Sequence, residues 1–152
     1  MTQRQNVPGY EEDFVAWLED QARHARRGEI DALDLENIAE ELEGMARSDR
    51  REIRNRLTVL LVHLLKYRFR PHRRSSGWLG TIGEQRSRIA TVIDDSPSLR
   101  AFPSAIVGQC YAEARLRTAT QTRLPQATFP AECPFGIAEV LDLAWLPAER
   151  VE

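Results

Sequence analysis

Apolar residues recur at every third or fourth position along most of the chain, which is the spacing of one face of an α-helix. The first such segment predicts a helix over 10–27. Acidic residues crowd its first turn and three arginines its last, which matches the helix dipole, and Gly28 can end it. Its predicted apolar face consists of Tyr10, Phe14, Trp17, Leu18, Gln21 and Ala25.

A second helix is predicted after Asp34, whose side chain can cap it. Its apolar stripe consists of Leu35, Ile38, Leu42 and Met45. The stripe then shifts, because a strict heptad would continue at Asp49 whereas the apolar residues resume at Ile53. Two interpretations remain open: a break over 44–48, or one long helix whose buried face rotates. Gly44 favours a break or kink, which we predict.

The segment VLLVHLL is apolar nearly all round, which is typical of a helix surrounded by other helices. We therefore predict that a helix over 49–69 is central to the fold. It should end before Pro71, because proline restricts the preceding Arg70 to extended conformations.

The second half of the chain predicts further helices over 78–94 and 103–122, a short one that starts at Ser96, and a final short one over 137–143. Ser75 or Ser76 can cap the first of these. The buried side of the helix over 78–94 is predicted to hold Leu79, Ile82, Ile89, Val92 and Ile93. The stretch RLPQATFPAECPFG predicts an extended strap whose gap-filling residues are Leu124, Phe129 and Phe135.

Together these elements predict an all-α fold: a compact bundle of about five main helices with an extended, proline-rich C-terminal strap and a short terminal helix. No repeat, linker or strand alternation is visible, so we expect one domain over 1–152 with its core over 10–147. The hydrophobic fraction of 42% and charged fraction of 29% are those of a globular chain.

The longest apolar run, 57–65, is interrupted by Thr58 and His63 and is too short to span a membrane. The first residues, MTQRQNVPGYEEDF, contain no apolar segment of the kind found in secretory signals. We therefore expect a cytoplasmic protein without a membrane partner. Cys110 and Cys133 form no metal-binding spacing, so we predict no metal site and no cofactor.

Charge is strongly segregated along the sequence. Residues 1–46 hold 4 arginines against 12 acidic residues, whereas residues 47–74 hold 10 basic residues against 2 acidic ones. The remaining residues, 75–152, hold 7 basic and 9 acidic residues. The basic middle predicts either a surface for a phosphate-bearing partner or a segment that the acidic first third neutralises.

The stretch VHLLKYRFRPHRR, residues 62–74, holds the only lysine of the chain. Its cations are candidates for binding an anion, an acidic protein or a nucleic acid, and we call them the basic edge: Lys66, Arg68, Arg70, Arg73 and Arg74. The alternative is that cations near a helix C-terminus are stabilised by the dipole without any ligand.

Three further residues are candidates for a polar core or pocket: His63, Trp78 and Gln85. His63 is either a hydrogen-bonded core residue or a catalytic base, for which it would need a carboxylate that orients its ring. Lys66 offers a compact ammonium that loses its proton when desolvated. Trp78 either lies across Arg70 or Arg73 as a cation–π partner or belongs to the core.

The landmarks of the chain resemble a known family. They are EDFVAWLEDQA, LDLENIAEELEGMARSDRREIRNRL, LLVHLLKYRFRP, SGWLGTIGEQRSRI, DSPSL, YAEAR, LP and TFPAECPF, in this order. They are similar to the bacterial family called domain of unknown function 29 over about 10–146. The resemblance implies a bacterial, cytoplasmic, all-helical protein and brings no activity or catalytic residue. The family's HLLK corresponds to residues 63–66.

Hydrolase, metalloprotease and nucleotide-binding motifs are absent from the sequence, which favours a function without catalysis. We expect a binding or regulatory helical module whose basic edge engages an acidic protein or nucleic acid. One alternative is an enzyme with a pocket at His63 and Lys66. Another is a structural or accessory protein that acts through homo-oligomerisation.

Overall fold

The computed structural model describes residues 6–148, so the two ends of the domain predicted over 1–152 lie outside the described residues. The described chain contains five α-helices and no strand, which confirms the predicted all-α fold. The helices are α1 (Phe14–Arg26), α2 (Leu35–Phe69), α3 (Ser76–Asp95), α4 (Phe102–Thr122) and α5 (Ile137–Leu141). Single 3₁₀ turns cover Ile30–Ala32, Pro71–Arg73, Pro97–Leu99 and Gln126–Thr128.

The chain divides into two compact units, Met1–Arg47 and Ser48–Glu152. Helix α2 begins in the first unit and ends in the second. None of the helices within 6–148 combines the length and the apolar character that a membrane span requires.

The first unit is a helical hairpin, formed by α1 and the first part of α2. Helix α1 begins at Phe14 rather than at Tyr10, because the side chain of Asp13 caps it by accepting a hydrogen bond from the Ala16 amide at 3.0 Å. Its predicted end is confirmed, since Gly28 follows with φ of 69°, a conformation that glycine adopts without strain.

Asp34 holds the hairpin together. As predicted, its side chain caps α2, accepting hydrogen bonds from the Asn37 amide at 3.4 Å and side chain at 2.7 Å. It also accepts one from the Trp17 indole at 3.3 Å, and its own amide donates to the Gln21 side chain at 2.7 Å. The hydrogen bonds from Asn37 and Trp17 lower the pKa of Asp34.

The predicted break over 44–48 is wrong, because α2 is one helix of 35 residues. One continuous helix was the alternative interpretation, and the structure shows it. The predicted apolar stripe of its first part is not a buried face. Leu35, Leu42 and Met45 are exposed, and burial starts again at Ile53. Gly44 does not end the helix, which agrees with the small penalty, about 1 kcal/mol, that glycine brings to a helix interior.

The second unit contains the hydrophobic core, which surrounds the later part of α2. The VLLVHLL segment is central, as predicted, and five leucines of α2 are fully buried: Leu57, Leu60, Leu61, Leu64 and Leu65. Helices α3, α4 and α5 contribute Ile82, Ile89, Ile106, Cys110, Tyr111, Ala114 and Val140. Leu79, predicted to be buried on α3, is instead 45% exposed and lies in the first turn after the Ser75 cap.

The strap after α4 follows the prediction, since Phe129 and Phe135 are buried and Leu124 packs against the core. Side chains from the helices hold its carbonyl groups. The Tyr111 hydroxyl donates to the Pro130 carbonyl at 2.6 Å, and Arg115 donates to the Phe129 carbonyl at 3.1 Å. In a helix or sheet, backbone amides would donate hydrogen bonds to such carbonyl groups. In the strap, side chains donate to these two carbonyl groups instead.

Candidate functional site

Three residues of the basic edge are engaged within the second unit. Arg70 donates to the Thr122 carbonyl at 2.8 Å. Arg74 donates to the Tyr67 carbonyl at 2.8 Å, and its guanidinium lies 3.9 Å from the centroid of the Tyr67 ring. The Lys66 ammonium lies 5.9 Å from the centroid of the Trp78 ring. These contacts give Arg70, Arg74 and Lys66 a role in the fold.

The cation at Trp78 is therefore Lys66 rather than Arg70 or Arg73, which were one of the two alternatives for this residue. Trp78 itself is half-buried. Of the remaining two cations of the basic edge, Arg73 is exposed in the 3₁₀ turn after α2. Arg68 lines a cavity of about 320 Å³ beside the strap. The basic edge is thus not one continuous surface of free cations.

His63 is half-buried on α2 and lies 2.9 Å from the Val59 carbonyl through Nδ1. Because a carbonyl only accepts, Nδ1 carries the proton in this contact and Nε2 is the free acceptor. Burial lowers the pKa of His63, and the Lys66 charge lowers it further. Burial also lowers the pKa of Lys66. Within 6–148 no carboxylate orients His63, so the partner that a catalytic base requires is missing.

Gln85 belongs to a separate groove between α2 and α3, with a volume of about 410 Å³. It accepts a hydrogen bond from Arg56 at 3.2 Å, and Arg56 also pairs with Glu52 at 2.9 Å. His63, Lys66 and Trp78 do not line this groove, so the structure separates Gln85 from the other pocket candidates. The lining residues are Ser48, Arg51, Glu52, Asn55, Arg56, Val59 and Gln85.

The two thiols are free, and burial raises the pKa of both Cys110 and Cys133. They are therefore protonated and weakly nucleophilic at neutral pH. In the described part of the chain, no three His, Cys, Asp or Glu side chains are grouped so that they could hold a metal ion.

The hairpin has many exposed apolar side chains. The sequence predicted the apolar stripes of its two helices but not their exposure. Six large apolar side chains are 40 to 67% exposed: Phe14, Val15 and Leu18 on α1, and Leu35, Leu42 and Met45 on α2. The exposed alanines between them are Ala22, Ala25, Ala39 and Ala46. We call these ten residues the hairpin face.

The two stripes of the hairpin face emerge on the same side of the hairpin. The helices run antiparallel, since the Tyr10 hydroxyl donates to Glu41 whereas Trp17, later in the chain, bonds to the earlier Asp34. Successive residues of a helix are about 100° apart around its axis. On each helix the exposed stripe lies roughly a quarter to a third of a turn away from the residues that face the other helix, in the direction of increasing residue number. Antiparallel helices turn in opposite senses when viewed along one axis, so both stripes point to one side.

Acidic residues border the hairpin face. Glu19 lies one turn after Val15 on α1, and Glu36 and Glu43 lie one turn before and after Ala39 on α2. Glu19 and Glu36 have no ion pair among residues 6–148. Glu43 is 3.8 Å from Arg47, at the limit of an ion pair. The surface is therefore apolar in its centre, and its rim carries these three glutamates together with the exposed Arg26 and Arg47.

Comparison with known proteins identifies a family. A family model described as domain of unknown function DUF29 matches residues 10–146, which includes the hairpin and the core. No curated protein and no solved structure matches the chain.

Proposed function

The chain belongs to the family described as domain of unknown function DUF29, which assigns no activity, and we propose that it is a non-enzymatic protein-binding module. The hairpin face binds an amphipathic helix of another protein, and basic residues flank the apolar stripe of that helix. The observation that supports this is the set of exposed apolar side chains on one side of the hairpin.

The shape of the surface suits a helix. Two antiparallel helices leave a groove along their length, and a third helix fills it with residues spaced at i, i+3 and i+7. The α1 stripe extends from Phe14 to Ala25, about 17 Å at 1.5 Å per residue. A partner helix of about three turns would cover it.

The charge of the rim selects the partner. A second copy docked through the same face would bring Glu19 and Glu36 of two copies to one interface, and like charges across an interface oppose binding. A helix flanked by Lys or Arg places cations opposite Glu19 and Glu36 instead. The proposal therefore commits to a basic helix, and its affinity should fall with salt.

The proposal places this binding in the bacterial cytoplasm. The family resemblance implies that compartment, and the free thiols of Cys110 and Cys133 agree with it, because disulfides are rare in reducing compartments.

The test uses two labelled synthetic helices with the same leucine stripe, one flanked by Lys and the other by Glu. Fluorescence anisotropy is measured with the full chain and with a variant that carries Leu42→Glu and Met45→Glu. We expect the basic helix to bind at least tenfold more tightly than the acidic one, and the variant to lose at least tenfold in affinity. A matched control is Leu143→Glu, because Leu143 is 70% exposed but lies outside the hairpin.

Equal binding of both helices, or equal loss in the Leu143→Glu control, would contradict the proposal. Sedimentation of the chain alone tests whether a second copy of the chain, instead of another protein, occupies the hairpin face. A dimer that Leu42→Glu dissociates would mean that a second copy covers the hairpin face. Absence of binding by either helix, with the chain folded and monomeric, would reject the hairpin face as a docking surface.

A second candidate function is binding of an acidic protein or nucleic acid by the basic edge. Its support is the charge of residues 47–74 and the exposure of Arg73, which has no ion pair among the described residues. Arg73→Glu isolates this function, because Arg70 and Arg74 also hold the fold. If the candidate is correct, binding of a labelled DNA duplex weakens steeply with salt and drops in the variant. Unchanged binding would reject it.

A further inference from the structure

Arg68 occupies a position that the helical repeat assigns to the core. It follows Leu61 by seven residues and Leu64 by four, so it lies on the side of α2 that carries these two fully buried leucines. An apolar residue would continue the stripe. The chain has an arginine there, in the last turn of the helix and near the Phe135 ring of the strap.

The guanidinium of Arg68 is held by aromatic rings but has no anion. Its central carbon lies 5.3 Å from the centroid of the Phe69 ring and 5.9 Å from that of Phe135. Its Nε is enclosed and has no hydrogen-bond acceptor. Within 6–148 no carboxylate pairs with it. The rings offset part of the cost, but an enclosed donor without an acceptor is unfavourable.

Arg68 also lines the cavity of about 320 Å³ beside the strap. The other polar side chain there is Thr128, whose hydroxyl makes no hydrogen bond to residues 6–148. The other lining residues, Phe69, Ala127 and Pro130, have apolar side chains, although polar atoms, those of the backbone included, make up more of the lining than apolar atoms do. A volume of this size is at the lower end of small-molecule sites, and no acidic residue lines it.

We propose that this cavity, the Arg68 cavity, binds a small carboxylate ligand with an apolar body. A carboxylate presents two oxygens in one plane, which match the donor fork of a guanidinium, and the Thr128 hydroxyl supplies a further donor. The apolar body packs on Phe69 and Pro130. A phosphate has three strong acceptor oxygens, and the side chains that line this cavity offer them only one cation and one hydroxyl. The carboxylate can belong to a free acid or to the end of a peptide.

The test uses benzoate and hexanoate as probes, benzamide as the neutral analogue and inorganic phosphate as the competing anion, all with the full chain. Binding is followed by NMR titration and by the shift in melting temperature. We expect benzoate and hexanoate to bind with Kd in about the millimolar range, and benzamide and phosphate at least fivefold more weakly. A short peptide with a free C-terminal carboxylate, compared with its amidated form, distinguishes the two sources.

Arg68→Met is expected to abolish the response to benzoate, and its melting temperature without ligand should be equal to or above that of the parent chain. Arg68→Lys is a second variant, for the case in which Arg68→Met does not fold. Lysine keeps the positive charge but lacks the donor fork of the guanidinium, so we expect at least a fivefold loss of affinity for benzoate. Arg73→Met is the matched control, since Arg73 is exposed and lies outside the cavity.

Benzoate binding that persists in both Arg68 variants would overturn the proposal, as would a parent chain that binds no carboxylate. Benzoate binding at the Arg68 cavity does not involve the hairpin face. The variant with Leu42→Glu and Met45→Glu should bind benzoate like the parent chain, so either proposal can fail while the other stands.

Discussion

The two units of the chain use the same residue type in opposite ways. In the second unit five leucines of α2 are fully buried, whereas in the hairpin Leu18, Leu35 and Leu42 are 40 to 61% exposed. Trp17 is the only large apolar side chain that is buried among residues 6–47. Periodicity therefore identifies an apolar face in both units, but it does not say whether the chain itself covers that face.

The reason is geometric. An apolar stripe on a helix is buried only where another element packs against it, and the second unit has α3, α4, α5 and the strap to surround its part of α2. A hairpin of two helices has one line of contact and leaves the outer part of each stripe in water. The ring contact between Tyr10 and Trp17, with centroids 4.8 Å apart, and the bonds at Asp34 fill that single line.

The largest expected difference between the two units is the effect of truncating a leucine. Leu61→Ala removes a fully buried side chain and should lower the free energy of unfolding by about 2–5 kcal/mol. Leu42→Ala removes a side chain that is 61% exposed and should change it by less than about 0.5 kcal/mol. Urea unfolding measures both. A large loss with Leu42→Ala would mean that the hairpin face is covered in solution.

Within the second unit, the buried Arg86 can be compared with an exposed arginine of the same helix. Arg86 is only 2% exposed and donates to the Val140 carbonyl at 2.7 Å and to the Glu139 carbonyl at 3.4 Å. Arg86→Met should destabilise by about 1–3 kcal/mol, because it removes the hydrogen bond to the buried Val140 carbonyl, whereas the Glu139 carbonyl still accepts from the Asp142 amide. Hydrogen exchange should increase in α5 most of all.

The exposed Arg88 on the same helix provides the control, since Arg88→Met should change the free energy of unfolding by less than about 0.5 kcal/mol. If both variants behaved alike, the hydrogen bonds from Arg86 to the C-terminal helix would contribute nothing to stability.

Arg68→Met is expected to act in the opposite direction to Arg86→Met. Arg68 has no acceptor for its enclosed Nε, so a methionine of similar size removes an unfavourable group and should stabilise the free protein by about 1 kcal/mol. Thermal unfolding without ligand measures this effect. A destabilisation comparable with that of Arg86→Met would show that Arg68 has a structural partner.

The smallest effects concern two tyrosines whose pKa values are raised for different reasons. In the hairpin, the hydrogen bond to Glu41 raises the pKa of Tyr10 to about 12. In the second unit, burial raises the pKa of Tyr111 to about 12. An ultraviolet titration of tyrosinate should show that Glu41→Gln lowers the pKa of Tyr10 towards 10 and leaves Tyr111 unchanged.

The same shifts set the direction of the stability change with pH. A pKa that is higher in the folded chain stabilises it below the unfolded value of about 10, and this stabilisation is lost as the pH rises towards 12. Stability that is constant between these two pH values would contradict both shifts.

Much of the fold follows from local rules. The cap at Asp34, the end of α1 at Gly28 and the central position of VLLVHLL depend on residue type and spacing alone. The start of α1 was missed because Asp13 competes as a cap within an apolar pattern that extends back to Tyr10. The continuity of α2 was missed because one glycine has only a small effect in a helix that tertiary packing stabilises.

The candidate sites were less predictable. The sequence shows five cations near the end of α2 but not which carbonyl groups Arg70 and Arg74 reach, because these acceptors depend on the path of the chain. The isolation of Arg68 also depends on the strap that covers it. A signal for Arg68 was present, since an arginine at four and seven residues from buried leucines interrupts the core stripe.

The manner in which the strap is attached has a consequence for local unfolding. Its carbonyl groups accept from the side chains of Tyr111 and Arg115, and the carbonyl just before it accepts from Arg70. Few of its own amides take part in regular backbone bonding, so hydrogen exchange there reports the opening of a segment held by three donors. Such an opening would uncover the residues 127–130 while the helical core stays intact, and its free energy would set how quickly a molecule enters or leaves the space beneath.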